Sequence, residues 1–541
     1  MVGNRRQIVA VGGAAVLLLS MAACGSNRDS GSGGSGGSSS KSFTLGTTDT
    51  VTAVDPAGSY DLGSSTLQYS IFQNLLTIPA GETTPVGDAA QSCNYGDPST
   101  LTCKLKPGLK FSNGDALTSA DVKYSFQRAL DIGDPNGAAI YLLGDIAATN
   151  KAGDVTGLAK GAIDTPDDST VVFHLNKPDV TFQYILTYPG TGAIVDQQVF
   201  PPTKKLADDK VIGSGPYKLS QYKAGQQAVL EANSNYSGDR APKASQVFIS
   251  YFQDATALKL AVQNGDIDIA WDTLGPTDIT ALKSNSDVTV AEGAGAAIRY
   301  WVWNNNSGPG KQLAVRKAAA QIIDRNAIAK NAYENTVTPL YSIVPPGLPG
   351  MTESFKTAYG AKPDVAAAKK TLSASGIKTP VTITMGYTPT HYGPNTVDEA
   401  TEFSRELESS GLFKVQLKSV EWEQYQTIYK QGAYDLWILG WYPDYLDTDD
   451  YLSPFLVNGG FFENGYKSST ANSLVAEEQG STSTAKRLAD FKKLQDLAAK
   501  DVPWIPSWVG NNTAVYRAGI SGVKETLDPA YIFRLWTISK S

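Results

Sequence analysis

The chain has only two histidines, His174 and His391, in 541 residues. Neither lies three or four positions from another His or a Cys, so the helical histidine motifs of zinc hydrolases are missing. Only three cysteines are present, Cys24, Cys93 and Cys103. These absences count against a metal-dependent or histidine-based enzyme, and the sequence predicts no catalytic residue, no metal and no cofactor.

Clusters of basic residues are also missing. Lys and Arg number 46 against 53 Asp and Glu, which gives a net charge of −7, and no stretch forms the basic stripe that tracks phosphates. The composition therefore excludes nucleic acid as a partner. The chain is also long enough for two or more domains rather than one enlarged core.

The N-terminus carries a pattern typical of export. Arg5 and Arg6 precede an apolar run over residues 8–19, which is too short for a membrane-spanning helix. Small residues then lead into Cys24, an arrangement similar to the lipobox of bacterial lipoproteins, in which cleavage leaves an acylated Cys as the first residue. We therefore expect a signal peptide over residues 1–23 and a lipid anchor at Cys24. The twin-arginine and the ordinary export routes both stay open.

Residues 24–42 are rich in Ser and Gly and offer no apolar side chain that could join a core. This composition predicts a flexible tether whose reach is roughly 5–6 Å times the square root of its length. The globular part is therefore expected at the extracytoplasmic face of a bacterial cell membrane, with its partner in that membrane.

Cys93 and Cys103 flank a segment that contains a Gly-Asp-Pro turn. An exported protein meets oxidising conditions, and two strands joined by such a turn can bring the sulfurs together. The sequence predicts a disulfide between them, with two free thiols as the alternative.

Six short motifs occur in a fixed order along nearly the whole mature chain. They are Val54-Asp55-Pro56-Ala57, Phe111-Ser112-Asn113-Gly114-Asp115 followed by Ala120-Asp121-Val122-Lys123-Tyr124-Ser125, Gly213 to Leu219, Asn264-Gly265-Asp266-Ile267-Asp268, Ile323-Asp324-Arg325, and Gly440 to Asp447. Together they resemble the extracellular solute-binding proteins, family 5, of oligopeptide and dipeptide ABC transporters.

The resemblance implies an α/β, two-lobed periplasmic-binding-protein-like fold (type II, large peptide-binding class) with a hinge between the lobes. It implies a first lobe from residues 43–80, 211–300 and 510–541, an extension of that lobe over 81–210, and a second lobe over 301–509.

The residue pattern of the second half agrees with this fold. Strand-like and helical segments alternate from Val381 to Trp441, which is typical of a parallel sheet with ligand-facing loops at its carboxyl ends. The loops over 388–395 and 441–447 are therefore expected at one edge of that sheet.

Asp444 is the main candidate for a binding residue, because it lies close in sequence to Trp441, Tyr442 and Tyr445. A carboxylate among aromatic walls can pair with a ligand ammonium. In the family that the chain resembles, the Asp of a Gly-Trp-x-x-Asp motif receives the α-ammonium of a peptide, and Gly440 to Asp444 matches that motif. The alternative is a surface turn whose aromatic residues cap a core.

Tyr60 and His391 complete the set of candidate ligand contacts. His391 lies in the loop that supplies an Arg or a His as carboxylate anchor in some members of the family, and that loop has no Arg here. Because a single His is mostly neutral near pH 7, ligands other than short peptides stay open. An exposed loop residue without a role is the alternative for His391.

The resemblance implies a substrate-binding lipoprotein of an ABC importer, most simply a monomer, that captures oligopeptides or dipeptides between its lobes and delivers them to a permease. A nickel chelate, an oligosaccharide or a signalling molecule is the alternative ligand. A surface peptide hydrolase is disfavoured by the missing nucleophile, base and metal.

A calcium loop is the remaining alternative, because Asp447, Asp449 and Asp450 follow the candidate motif closely. Counted from Asp447, Leu452 and Asn458 replace the Gly and the Glu of an EF-hand. An EF-hand is therefore excluded, and another calcium geometry stays open.

Overall fold

The computed structural model describes residues 42–393 and 395–541. The predicted signal peptide, Cys24 and nearly all of the predicted tether lie outside these residues. Within the described ranges, no helix combines the length and the apolar character that a membrane crossing requires.

Strands occur in every part of the described chain. They are β1 Phe43–Thr47, β2 Leu76–Thr77, β3 Val86–Gly87, β4 Ala90–Asp97, β5 Thr100–Leu105, β6 Ala147–Thr149, β7 Val155–Leu158, β8 Ile163–Asp167, β9 Thr170–His174, β10 Tyr217–Lys223, β11 Gln227–Ala232, β12 Gln246–Tyr251, β13 Ile269–Trp271, β14 Val288–Gly293, β15 Ile298–Trp303, β16 Val337–Pro339, β17 Val381–Tyr387, β18 Phe413–Ser419, β19 Leu436–Trp441, β20 Trp504–Gly510, β21 Asn512–Arg517, β22 Ile520–Ser521 and β23 Ser539–Lys540.

Helices separate many of these strands. They are α1 Leu62–Ile71, α2 Ser119–Ile132, α3 Ala139–Leu142, α4 Phe182–Ile185, α5 Pro189–Gly192, α6 Ala255–Asn264, α7 Pro276–Lys283, α8 Leu313–Ile322, α9 Arg325–Asn331, α10 Ser354–Tyr359, α11 Val365–Ala374, α12 Thr396–Ser409, α13 Trp422–Lys430, α14 Ser453–Leu456, α15 Ser469–Gln479 and α16 Thr484–Asp501.

The sheet of the first lobe has the strand order β10-β11-β12-β1-β13-β21-β14. β1 lies in its middle and runs parallel to β12 and β13. β21, from near the end of the chain, pairs antiparallel with β13 and β14. This lobe is therefore assembled from early, middle and late parts of the sequence.

The sheet of the second lobe has the order β16-β20-β15-β19-β17-β18. β17 runs parallel to both β18 and β19, with α12 and α13 as the crossover helices, which confirms the predicted parallel rhythm. β15 pairs antiparallel with β19 and β20, so the complete sheet is mixed. Because β17 and β19 are parallel neighbours, the loops that begin at residues 388 and 442 leave the same edge.

Local sequence explains how these elements begin and end. In β17, Val381, Ile383 and Met385 are buried and the threonines between them are more exposed, the alternation of a pleated strand. α2 begins with a capping box formed by Thr118 and Asp121. α6 ends at Gly265, whose φ of 85° places it in the left-handed region that glycine tolerates best.

The chain passes from the first sheet to the second between β14 and β15, and it returns between β20 and β21. β15 begins at Ile298, shortly before the predicted start of the second lobe at residue 301. The lobe boundaries themselves stay a prediction.

A smaller sheet of order β4-β5-β9-β8 lies within the predicted extension of the first lobe. Cys93 on β4 faces Cys103 on β5, and the two form a disulfide with a Cα–Cα distance of 4.0 Å. The predicted pairing is thus confirmed. Phe126 of α2 packs edge-on against Phe173. Both residues belong to a hydrophobic core that is separate from the core of the main sheets.

Candidate functional site

Asp444 lies in the loop that follows β19, directly after Pro443. Its carboxylate accepts a hydrogen bond from the hydroxyl of Tyr60. Its backbone N–H donates to the carboxylate of Asp450 over 3.0 Å. In the described parts of the chain, no Lys, Arg or His forms an ion pair with Asp444. The carboxylate is therefore held in place by one neutral donor, without a compensating cation.

Tyr60 brings the first lobe into contact with this loop. It precedes α1 and lies 384 residues from Asp444 in sequence. Its ring stacks on Tyr141 with centroids 5.9 Å apart and contacts the edge of Tyr188 at 6.0 Å. These rings fix the direction of the hydroxyl, so the hydrogen bond to Asp444 joins the two lobes at a defined point.

A cleft of about 450 Å³ of empty space, part of it open to solvent, lies beside Asp444. Both lobes line the cleft, with Leu62, Ser65, Tyr69, Ile78, Thr187, Tyr188, Ala530, Tyr531 and Ile532 from the first lobe and its extension and Pro443, Asp444, Tyr445 and Leu446 from the second. The lining is mainly apolar and aromatic, with Asp444 as its ionisable carboxyl group.

Burial raises the pKa of the Asp444 carboxyl to about 7, and the hydrogen bond from Tyr60 acts in the opposite direction. Burial, followed by the nearby charge of Asp444, raises the pKa of Asp450 well above its ordinary value. One carboxylate oxygen of Asp450 is buried and has no hydrogen-bond partner. The site therefore favours a positively charged group that would compensate this acidic pair.

The other aromatic residues of the motif have separate positions. Trp441 donates its indole N–H to Asp450 over 3.2 Å and packs against Phe455 and Phe461, so it supports the loop from behind. Tyr445 lines the cleft and donates its hydroxyl to Asp449 over 2.7 Å.

Tyr442 is the exposed aromatic residue of the loop, with 47% of its surface accessible. Its ring contacts the edge of Tyr531 from the first lobe, with centroids 5.8 Å apart. Tyr442 therefore lies where the two lobes face each other, next to the cleft but not among its lining residues.

His391 lies in the loop after β17 and is not among the residues that line the cleft beside Asp444. Its ring stacks on Trp422 with centroids 3.7 Å apart and planes inclined by 2°. Burial, together with the positive charge of Arg299, lowers the His391 pKa to about 4, so the ring is neutral at pH 7. Its role as a carboxylate anchor stays a prediction, because the neutral ring has no positive charge to attract a carboxylate. His174 is exposed at the end of β9, 3.2 Å from Asp164.

The acidic run after Asp444 is largely engaged within the protein. Asp447 accepts two hydrogen bonds from Arg487, at 3.0 and 2.7 Å, and Arg487 also donates to Glu478. Among the described residues, no group of three or more His, Cys, Asp or Glu side chains is arranged to hold a metal ion.

Sequence reasoning named Asp450 only as part of a possible calcium loop and did not single out Arg299. Arg299 could have been noticed because it interrupts the otherwise aromatic and aliphatic strand Ile298–Trp303. The importance of Asp450 follows only from its contacts with Trp441 and the Asp444 backbone, which local spacing does not reveal.

Comparisons with known proteins bear on this cleft. The family model for bacterial extracellular solute-binding proteins, family 5 middle, matches residues 84–463. The chain is 26% identical over 506 residues to the probable D,D-dipeptide-binding periplasmic protein DdpA of Escherichia coli K12, covering 90% of this chain and 92% of that protein. It is 25% identical over 530 residues to the oligopeptide-binding protein OppA of Bacillus subtilis 168, covering 94% of each.

Solved structures share the arrangement of the two lobes. The ABC transporter-associated periplasmic binding protein DppA of Helicobacter pylori, solved in complex with the peptide STSA, matches with a TM-score of 0.73 at 20% identity. The match covers 92% of this chain and 98% of that one.

Proposed function

Because the chain belongs to the bacterial extracellular solute-binding proteins, family 5, we propose that it captures peptides with a free amino terminus between its lobes and delivers them to an ABC transporter permease. The family consists of binding proteins and not of enzymes, and the two-lobed fold is that of periplasmic peptide-binding proteins. The relatives named above are peptide-binding proteins by their own descriptions.

The uncompensated carboxylate of Asp444 carries this proposal. A half-buried carboxylate beside an apolar cleft is costly without a positive partner, and Asp444 has only the neutral donor Tyr60. A peptide α-ammonium would supply the missing charge and form charge-assisted hydrogen bonds with the carboxylate. Asp444 is therefore the ammonium site, and the neighbouring Tyr445 and Tyr188 cover apolar parts of the ligand.

Closure of the lobes follows from the same contact. Tyr60 and Asp444 come from different lobes and meet at the cleft, so a ligand held there contacts both sides at once. Such a ligand favours the closed arrangement because it binds that arrangement better than the open one. A permease can then distinguish the loaded protein from the empty one.

The proposed localisation of the protein is the extracytoplasmic face of the cell membrane. The lipobox-like approach to Cys24 and the Ser/Gly-rich segment after it support a lipid-anchored monomer on a flexible tether. Anchoring keeps the binding protein close to a permease in the same membrane, which raises its effective concentration there.

Native mass spectrometry of the protein purified without denaturation tests the proposal. We expect a co-purified mixture of short peptides, because the cleft grips the peptide terminus and leaves side chains loosely specified. A single non-peptide mass, such as that of a nickel chelate or an oligosaccharide, would contradict it.

A further inference from the structure

The predicted extension of the first lobe contacts the second lobe through the segment that follows β9. The backbone N–H of Val180 donates to the carbonyl of Gln479 over 2.8 Å, and the ammonium of Lys177 donates to the side-chain oxygen of Gln479 over 3.3 Å. Lys177 and Gln479 lie 302 residues apart in sequence, and the chain passes between the two main sheets elsewhere, between β14 and β15 and between β20 and β21. The contact is therefore held by non-covalent bonds, so it can form and break as the lobes move.

Gln479 ends α15, and its carbonyl belongs to the last turn, where backbone oxygens have no partner within the helix. The N–H of Val180 supplies that partner from the extension. Val180 has 3% of its surface exposed and Gln479 has 9%, so this hydrogen bond is largely shielded from water. A hydrogen bond in such surroundings is stronger than one in open solvent.

Lys177 adds a positive charge to the contact. Its ammonium lies 3.6 Å from a carboxylate oxygen of Asp145 and 3.4 Å from one of Asp179, both in the extension. Burial acts to lower its pKa, but the charges of Asp145, Asp179 and Asp449 together raise it. Asp449 belongs to the second lobe, so the ammonium attracts acidic groups on both sides of the contact.

The segment over residues 177–180 is fixed to the hairpin of β4 and β5. Tyr95 of β4 donates its hydroxyl to the carbonyl of Asp179 over 3.0 Å. The N–H of Asp179 donates to the carbonyl of Pro98, in the turn of the hairpin, over 2.9 Å. The disulfide joins the same two strands. The segment therefore moves with the hairpin and not independently of it.

On the side of the second lobe, Gln479 is connected to the cleft through the buried carboxylate of Asp449. The side-chain N–H of Gln479 donates to both oxygens of that carboxylate, each over 3.3 Å. Tyr445, which lines the cleft, donates its hydroxyl to the same carboxylate over 2.7 Å. Asp449 thus holds a wall of the cleft and the end of α15 together.

The ion pairs of Arg487 fix the end of α15 to the same loop. Arg487 donates to Asp447 over 3.0 and 2.7 Å and to Glu478 over 3.0 Å. Asp447 lies two residues before Asp449, and Glu478 directly precedes Gln479. The cleft loop and the end of α15 are therefore one body, and a displacement of the loop is transmitted to the contact with the extension.

We propose that Gln479 and the segment over residues 177–180 form a latch, which closes the extension onto the second lobe and prolongs the stay of a ligand in the cleft. Gln479 is the centre of the latch, because its two oxygens bind the extension while its side-chain N–H binds Asp449 behind the cleft. The inference rests on the proposed function, since a latch serves a protein that opens and closes around a ligand. It adds a second closing contact to that between Tyr60 and Asp444, made by residues that do not line the cleft.

A disulfide across the latch tests whether the contact breaks when the lobes open. A Cβ added to Gly480 would lie 3.6 Å from the Cβ of Pro178, within the range of about 3.5–4.5 Å found across disulfides. The double variant Pro178→Cys with Gly480→Cys should therefore cross-link in the full chain under a mild oxidant such as oxidised glutathione. The parent, treated identically, controls for effects of oxidant and reductant on the native disulfide.

The cross-link should keep the protein closed. Small-angle scattering of the protein freed of co-purified ligand should give a smaller radius of gyration for the oxidised double variant than for the reduced one, because the reduced form opens. The probe for release is an equimolar mixture of alanine peptides of two to six residues, loaded before oxidation. Native mass spectrometry should show these peptides leaving the oxidised form at least about tenfold more slowly than the reduced form.

Lys177→Met measures the strength of the native latch. It removes the ammonium that binds Gln479 and leaves the hydrogen bonds within the second lobe in place. Because 54% of the Lys177 side chain is exposed, the alanine peptides should leave only about twofold to fivefold faster. Lys205→Met is the matched control, because Lys205 is also a partly exposed lysine of the extension, but its partner Asp134 lies within the extension. Equal release from the two variants would contradict the role of Lys177.

The outcomes of the cross-linking experiment separate the latch from the proposed function. If both new thiols stay free in the folded, oxidised double variant, the two segments do not meet and the inference is overturned. If the cross-link forms but the oxidised and reduced forms share one radius and release peptides at one rate, the inference is overturned and the proposed function stands. If the parent retains no peptide of any length, the proposed function fails, and scattering of the empty double variant decides the latch. A smaller radius of the oxidised form then supports the latch, and equal radii overturn it.

Discussion

Asp444 and Asp447 lie in the same loop, three residues apart, yet the fold treats their charges in opposite ways. Asp447 accepts two hydrogen bonds from Arg487 and caps the short 3-10 helix Thr448–Tyr451. Asp444 faces a cleft and receives only the hydroxyl of Tyr60 and no cation from the described chain. The carboxylate that pairs with an internal cation stabilises the loop. The carboxylate that has no internal cation is available to bind a ligand.

Arg487→Met should give the largest change in the free energy of unfolding, because it removes the cation that pairs with Asp447. Asp447 and Glu478 would stay buried without their partner, which typically costs about 3–5 kcal/mol. Urea denaturation should show this loss in the free energy of unfolding. The distortion should also reach Asp444, since the two carboxylates share one loop.

Arg405→Met is the control for that experiment. Arg405 also pairs with a glutamate, Glu402, but its side chain is 59% exposed, and surface pairs contribute about 0–1 kcal/mol. If the two variants lose equal stability, the buried ion pair of Arg487 stabilises the protein no more than the exposed ion pair of Arg405.

Asp444→Asn changes the other member of the comparison and should act on binding rather than on stability. The substitution keeps the shape and removes the charge, so a peptide with a free amino terminus should bind about 2–5 kcal/mol more weakly. The free energy of unfolding at pH 8 should not fall, because no internal ion pair is lost and a buried, uncompensated charge is removed.

Calorimetry with free and N-acetylated peptides on the parent and on Asp444→Asn forms a double-mutant cycle. The cycle separates the ammonium–carboxylate pair from general effects of changing the loop. Equal affinity of parent and variant for the free peptide would remove Asp444 from the site.

Much of this fold could be predicted from the sequence because its signals are local. Alternation in Val381 to Tyr387 predicted a strand, Thr118 and Asp121 predicted a helix start, and a turn predicted the pairing of Cys93 with Cys103. The six motifs also predicted the family, which the match over residues 84–463 confirms.

The electrostatics of the site could not be predicted, because they depend on contacts between distant segments. The donor to Asp444 lies 384 residues away, and Arg487 lies 40 residues from Asp447. The sequence shows an acidic run, and only the tertiary structure shows which of its members already has a cation.

The pH dependence of peptide binding should distinguish the two carboxylates further. Because burial raises the pKa of Asp444 to about 7, lowering the pH from 8 to 6 protonates the empty site and should weaken ammonium binding about tenfold. Calorimetry across that range measures the change. Asp444→Asn should show no such dependence, and a flat profile for the parent would contradict the raised pKa.

The stability of the empty protein should change in the opposite direction. Since the folded pKa of Asp444 lies above the value of about 3.9 for an unfolded aspartate, its contribution is fully present below that value and is lost as the pH rises through about 7. Asp450 and Tyr60 face the same carboxyl group, and Asp450 adds to the effect. Thermal unfolding at pH 6 and 8, compared with Asp444→Asn, isolates the part due to Asp444.

Tyr60→Phe should give the smallest effect, because it leaves both carboxylates in place and removes one neutral hydrogen bond of about 0.5–1.5 kcal/mol. The Tyr60 hydroxyl binds one oxygen of Asp444, so the second oxygen is free for an ammonium group and the tyrosine supports the ligand rather than competing with it. Peptide binding at pH 7 should therefore weaken by about threefold to tenfold.

Tyr60→Phe should also change the pKa of Asp444, and the direction of that change tests the role of the hydroxyl. The hydrogen bond from Tyr60 lowers the pKa of Asp444, so removing the hydroxyl should raise that pKa and move the midpoint of the pH-dependent binding upward. Tyr141→Phe is the matched control, because Tyr141 stacks on Tyr60 but donates its own hydroxyl to the Pro135 carbonyl. Its midpoint should not move. If Tyr60→Phe binds peptides more tightly than the parent, the hydroxyl occupies the ammonium position, and Asp444 is compensated from within as Asp447 is.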